Sequence, residues 1–164
     1  MSRLYRIVPS GIDTIDVIAL TDYIILLANE HQVPVYALVE QEIIPTINSV
    51  LGDLERPVMS HLRANESYAI NGSPSSPKWS TALERLTLQH NLKQLTTATL
   101  QGMIPAHSRF NLNKKWCDLC YDEARANGTL VYDRLIWKFH SVCVCNHHQR
   151  TLREQCPFHD CQKK

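Results

Sequence analysis

Two cysteine-bearing knuckles carry the chemistry this chain can do. Trp116-Cys117-Asp118-Leu119-Cys120 is a C-x2-C pair. After twenty-four further residues, Cys145-Asn146-His147-His148 is a C-x2-H pair. Thiolate and imidazole are zinc ligands, four to a tetrahedron, at about 2.0–2.3 Å. A two-residue gap lets one tight turn aim both side chains at a single point, and two such knuckles complete the tetrahedron. His148 keeps the two-residue gap and is the expected fourth ligand, with His147 as its substitute. The competing reading makes the cysteines small apolar core residues. It suits one C-x2-C better than a matched pair. A redox C-x2-C would call for a thioredoxin-like βαβ context, which the sequence lacks. Four protein ligands leave no position for water, so the site reads as structural rather than hydrolytic.

Cys156-Pro157-Phe158-His159-Asp160-Cys161 follows. Cys156, His159 and Cys161 offer three ligands of a second zinc site. Cys143 could be the fourth; the alternative for it is a core position. His31, His61, His90, His107 and His140 have no partner by spacing and read as surface or hydrogen-bonded residues. Paired catalytic carboxylates, a nucleophile elbow and a phosphate loop are all missing. Asp118 and Asp122 read as solvated charges, and no enzyme is expected.

The elements that position these residues follow from composition. The chain has 164 residues, 44% hydrophobic and 20% charged, with mean hydropathy −0.24. That is a soluble globular protein of one domain, or two small ones. The net charge of +1 hides an asymmetry: residues 1–102 carry −3, whereas 103–164 carry +4 and all six cysteines. A helical part over 1–102 and a zinc-binding module over 103–164 are therefore expected. The start lacks the apolar run of a signal peptide. The apolar stretch 15–28 is too short to span a membrane and holds Asp16 and Asp22. A cytoplasmic location follows, where cysteines stay reduced and bind metal.

A first helix is expected from Asp13 or Thr14, both good N-caps, to His31. Pro34 suits the first turn of a second helix, which Pro45 should bend or end. The run 71–77 is a breaker cluster. Ser76-Pro77 then opens a helical hairpin: one helix through Trp79, Leu83 and Leu86, a turn at His90-Asn91, and a second helix through Leu92, Leu95 and Leu100. Two short helices and a tight turn could form a helix-turn-helix. The alternative is two core-packing helices, and the hairpin is poor in the cations that DNA phosphates require. Leu130 to Phe139 is rich in β-branched and aromatic residues and should supply a short strand. The fold class is mainly α with small β, ending in a zinc-ribbon-like module. Lys114, Lys115, Arg134, Lys138, Arg150 and Arg153 form the basic set that could lie near nucleic acid. The alternative for them is a solvated face.

The order W-C-x2-C-Y from Trp116, Ile136-Trp137, Val142, C-x2-H-Q from Cys145, then Cys156-Pro157, resembles the TniQ family. These are target selectors of transposons that use an AAA+ ATPase regulator, TnsD among them. Upstream, Leu4-Tyr5-Arg6-Ile7-Val8-Pro9, the apolar helix at 12–31 and the hairpin at 77–101 resemble the family less specifically. The resemblance implies that Cys117, Cys120, Cys145 and His148 hold zinc and that Cys156 opens a next knuckle, although Phe158-His159-Asp160 replaces that knuckle's usual gap of two. The missing long extension of TnsD-type members implies the short type of CRISPR-associated transposons. Such a protein is a non-catalytic adaptor between a Cas effector with its guide RNA (Cascade or single-protein) and the ATPase TnsC. It would work beside target DNA on the bacterial nucleoid, and a homodimer occurs in the family. The alternative is an autonomous zinc-containing helix-turn-helix regulator reading DNA through Lys93, Gln94 and Gln101.

Overall fold

The computed structural model describes residues 2–51, 64–100 and 110–156. It is mainly helical. Helices α1 (Leu20–Glu30), α2 (Val35–Leu38), α3 (Ile44–Leu51), α4 (Ala64–Asn71) and α5 (Ser76–Thr87) precede α6 (Asp118–Ala126). Short 3-10 turns cover Leu92–Leu95, Thr97–Leu100 and Leu135–Lys138. β structure among the described residues is limited to three isolated antiparallel bridges, Ile18 with Arg134, Trp116 with Arg153, and Val144 with Thr151.

Helix α1 begins at Leu20, not at Asp13 or Thr14. Gly11 and Asp13 both adopt left-handed backbone, at φ 66° and 62°. The Thr14 hydroxyl donates to the Gly11 carbonyl at 2.7 Å and accepts from the Asp16 N–H at 3.1 Å, so it closes a turn instead of capping a helix. A side chain at 11 would also collide with the Asp16 carbonyl, 2.4 Å from an ideal Cβ. Residues 17–19 are then taken by tertiary pairing. The Leu135 N–H donates to the Val17 carbonyl at 2.8 Å, and the Ala19 N–H to the Asp133 carbonyl at 3.0 Å. Beyond this segment the helix ends in a Schellman closure. Gln32 is left-handed, and the Val33 N–H reaches the Ala28 carbonyl at 3.0 Å.

Pro45 does not end the helical run, which continues to Leu51. Val39–Ile43 forms a π turn that joins α2 to α3, and the Ile44 N–H bonds five residues back to Val39. The widened turn absorbs the missing proline donor and its ring, which an α-helical interior would not.

Asn71 closes α4 and fastens it to its neighbours. Its amide donates to the Ser67 carbonyl at 2.9 Å and the Thr21 hydroxyl at 3.2 Å, while its backbone carbonyl accepts from the Thr97 hydroxyl at 3.1 Å. Helix α5 has Ser75 as its cap residue and Pro77 in the first turn, one residue from the position expected. The hairpin's second leg is two 3-10 turns, not an α-helix. Thr96 lies extended between them, and its hydroxyl donates to the Lys93 carbonyl at 2.8 Å. The β-branched threonines there favour local hydroxyl-to-backbone bonds over helix continuation. Leu92 and Leu95 still reach the core.

The main core gathers Leu20, Ile24 and Leu27 of α1 with Ile43, Ile47, Trp79 and Leu83, and it includes Leu135 and Phe139 from the C-terminal part. Each such aliphatic side chain contributes roughly 1.5–3 kcal/mol through burial. Cys117, Cys120, Trp137, Cys145 and Leu152 form a second cluster.

A buried charge network sits where α1 meets the C-terminal part. Asp133 accepts from Lys138 at 2.9 Å, Lys114 at 3.4 Å and the Tyr121 hydroxyl. Its backbone N–H donates to the Asp22 carboxylate at 3.0 Å. Burial works to raise the Asp133 pKa, but Lys138 and Lys114 hold it below the ordinary value. Asp22 has the opposite fate: burial, then the Asp133 charge, lifts it from 3.8 to about 6. Ionising Asp22 therefore opposes folding, and the native state loses stability as pH rises through about 4 to 6. Asp22→Asn keeps the acceptor for Asp133 and removes that charge. Thermal melts should show the variant more stable above pH 6 by on the order of 1 kcal/mol, about 2–4 °C, with no difference below about pH 4. An equal effect at both pH values would contradict the assignment.

Candidate metal centre

The ligand residues come from two short pieces of chain. Cys117 is the residue before α6, and Cys120 lies in its first turn. Cys145 and His148 belong to a tight turn closed by the Gln149 N–H donating to the Cys145 carbonyl at 2.8 Å. That turn is held by the Cys145 N–H on the Arg150 carbonyl and the Leu152 N–H on the Cys143 carbonyl, both 2.8 Å. Trp116 and Arg153 exchange both backbone bonds and bring the first knuckle alongside.

The four donor atoms of Cys117, Cys120, Cys145 and His148 all lie within 4.8 Å of one another. The His148 Nδ1 is 3.5, 3.4 and 3.7 Å from the sulfurs of Cys117, Cys120 and Cys145, and the Cys120 and Cys145 sulfurs are 3.6 Å apart. Tetrahedral bonds of 2.3 Å to sulfur and 2.0–2.1 Å to nitrogen give edges of about 3.5 Å (S to N) and 3.8 Å (S to S). The cluster thus has the dimensions of a four-ligand metal site, and these residues can bind a metal ion. Cys117, Cys120 and Cys145 are buried. Burial resists ionisation of Cys145, but the backbone N–H groups of His148 and His147 and the His148 ring outweigh it and bring the thiol down to about 6. Burial, reinforced by the Cys145 sulfur, pushes Cys120 up.

Glu123 completes the centre. Its carboxylate accepts from the His148 Nε2 at 2.9 Å and raises the ring's pKa. This fixes the tautomer with Nδ1 free for a metal. Glu123 sits three residues after Cys120 on the same helix, so the i, i+3 spacing was the available signal for it. Glu123→Gln should weaken metal affinity about 10- to 100-fold, measured by competition with a chromogenic chelator. Unchanged affinity would remove Glu123 from the centre.

His147, the substitute ligand, turns elsewhere. Its Nε2 lies 2.8 and 2.9 Å from the two Asp16 oxygens. Cys156 is half-buried, while His159 and Cys161 of the second expected site lie outside the described residues. Cys143 is exposed.

The basic set divides. Lys115 is buried, and its ammonium donates to the carbonyls of Phe139, His140 and Val142 at 3.4, 3.1 and 2.9 Å. Lys138 is buried against Asp133. Arg134 is mostly covered and pairs with Asp16 at 3.3 Å. All three charges engage groups of the protein itself, and Lys115 and Lys138 are turned away from solvent. Lys114 is half exposed, Arg150 is exposed, and Arg153 pairs with Asp118 at 2.6 Å near the surface. Sequence alone gave no sign of which cations would turn inward.

A sequence model of the TniQ family matches residues 19–152, from the start of α1 through the second knuckle. The chain belongs to the TniQ family. The match takes in all four residues of the cluster, and TniQ membership carries a function related to target selection in transposition. TniQ proteins are non-catalytic partners of the transposition machinery. A search of the curated proteins finds no match. No described helix is long and apolar enough to cross a membrane.

Proposed function

We propose that the chain is a non-catalytic adaptor for RNA-guided, CRISPR-associated transposition, linking a Cas effector at target DNA to the AAA+ regulator TnsC. The observation that carries this reading is the TniQ match over most of the chain together with a closed Cys3His cluster. The cluster holds Zn2+, whose borderline-soft character suits three thiolates and one imidazole. Closed by four protein ligands, zinc supplies folding energy to the module.

The division of labour follows charge. The helical part, residues 1–102, is the acidic protein-binding half, and residues 103–164 are the basic half. DNA contact in the second half falls to Lys114, Arg150 and Arg153. Three cations give weak, salt-sensitive and sequence-independent contact. That suits a protein whose target sequence is read by guide RNA. The alternative regulator would need a reading helix at 92–101, where the described backbone is 3-10 and Leu92 and Leu95 are buried.

A pull-down of the tagged chain mixed with TnsC and the Cas effector encoded beside it, with DNA and ATP, tests the proposal. Retention of either partner, with one zinc or more per chain by native mass spectrometry, is expected. Loss of both partners while one preferred duplex is shifted would replace the adaptor by the regulator.

A further inference from the structure

His147 lies in the chain between two residues of the metal cluster, Cys145 and His148, and its backbone N–H joins that of His148 on the Cys145 sulfur. Its ring reaches a segment 131 residues earlier, where Nε2 lies 2.8 and 2.9 Å from the two Asp16 oxygens. A contact of that length to a carboxylate is a charge-assisted hydrogen bond, with the ring donating. Asp16 belongs to a tight turn over residues 10–18. The Ile18 N–H donates to the Ser10 carbonyl and the Thr14 N–H to the Gly11 carbonyl, both at 3.0 Å. On its other side the turn meets the C-terminal part again: the Asp16 carboxylate takes Arg134 Nε at 3.3 Å, and its backbone carbonyl takes the Tyr132 hydroxyl at 3.1 Å. Asp13, at φ 62°, holds left-handed backbone without being a glycine. Such a residue keeps that conformation only where its surroundings hold it.

We infer that the metal centre governs the order of the turn at residues 10–18 through the His147–Asp16 bond, a metal-sensitive clasp between the second knuckle and the start of the helical part. A bound ion fixes the 145–148 turn, because Cys145 and His148 must both point at it. That holds His147, between them, where its ring reaches Asp16. Without the ion the three thiols and the imidazole have nothing to converge on. Backbone bonds alone then keep the knuckle, the Gln149 N–H on the Cys145 carbonyl and the Cys145 N–H on the Arg150 carbonyl, and His147 loses its fixed place. The clasped turn carries Ile15, 53% exposed, so the metal decides how this apolar side chain is presented. The coupling is reciprocal: whatever the metal does for the turn, the turn does for metal affinity. The inference rests on the metal centre and its ion, and it is independent of the transposition role.

The test uses the full-length chain with and without Zn2+. It follows backbone hydrogen exchange by NMR at Thr14, Asp16 and Ile18, whose N–H groups bond within the turn. Removing zinc with a chelator should speed exchange there by about fivefold or more. His147→Ala, a change at a side chain 43% exposed, should give the same faster exchange in the turn while zinc stays bound and exchange within α1 is unchanged. Asp16→Asn touches no ligand, and it should weaken Zn2+ affinity by about fivefold in competition with a chromogenic chelator. His147→Ala should weaken zinc binding in the wild-type background and add nothing to Asp16→Asn, because both changes break one bond. Four results would each overturn the clasp: exchange in the turn that ignores zinc, native exchange in zinc-loaded His147→Ala, unchanged affinity in Asp16→Asn, or additive losses in the double variant. A wild-type chain that takes up no zinc would overturn the metal centre and the clasp together.

Discussion

Cys145→Ser should abolish metal binding and unfold the C-terminal module. Cys145 is fully buried, takes backbone N–H groups from His147 and His148, and closes the turn that carries the second knuckle. A serine hydroxyl neither ionises near neutral pH nor matches the softness of thiolate. If the metal is the proposed zinc, a structural site of this kind contributes on the order of 10 kcal/mol, as much as the whole stability of a typical domain. The bound metal should fall from one per chain to near zero by elemental analysis. The near-ultraviolet signal of Trp137, packed in the same cluster, should collapse. Because Leu135 and Phe139 belong to the main core, the helical part should also melt at lower temperature while keeping most of its far-ultraviolet helix signal. A variant with full metal content and a native tryptophan signal would show that Cys145 is a packing residue.

Asp133→Ala should be the most damaging change outside the metal ligands. It leaves Lys138, paired at 2.9 Å and almost fully covered, as an uncompensated buried cation. It also frees the Tyr121 hydroxyl beside Cys120 and a charge partner of Lys114. Removing one member of a buried ion pair costs about 3–5 kcal/mol. For a chain of this size that lowers Tm by about 6–20 °C. The double variant Asp133→Ala/Lys138→Met should recover a large share of the loss, because both charges then leave together. If the double variant is as unstable as the single one, the damage comes from Tyr121 and not from the orphaned lysine.

The metal cluster was legible because its information is local. Two knuckles with two-residue gaps state their ligands by spacing alone, and the structure brings Cys117, Cys120, Cys145 and His148 together. The apolar stripe of α1 was legible for the same reason. Most of what escaped the sequence was set by partners far along the chain. Residues 13–19 look like a helix start, yet Val17 and Ala19 bond instead to Leu135 and Asp133. Pro45 looks like a helix end, yet a π turn absorbs it. The stretch at 130–139 looks like a strand, yet it gives one bridge residue, Arg134, and then a 3-10 turn at Leu135–Lys138. Lys115 and Lys138 look like surface cations, yet the carbonyls of residues 139–142 and the Asp133 carboxylate draw them inward. Apart from the π turn, whose bond from Ile44 to Val39 is local, and the pairing of Lys138 with Asp133, five residues away, each of these depends on a partner far along the chain that no spacing rule reveals.

Insertion-site mapping tests the adaptor role most directly. The transposon, TnsC, the Cas effector and one guide RNA are supplied with or without this chain, and insertions are sequenced genome-wide. With the chain present, insertions should cluster at a fixed distance from the guided target and move when the guide is changed. Without it, guided insertions should disappear while the effector still binds its target. Guided insertion that continues at the same frequency and position in its absence would contradict the account.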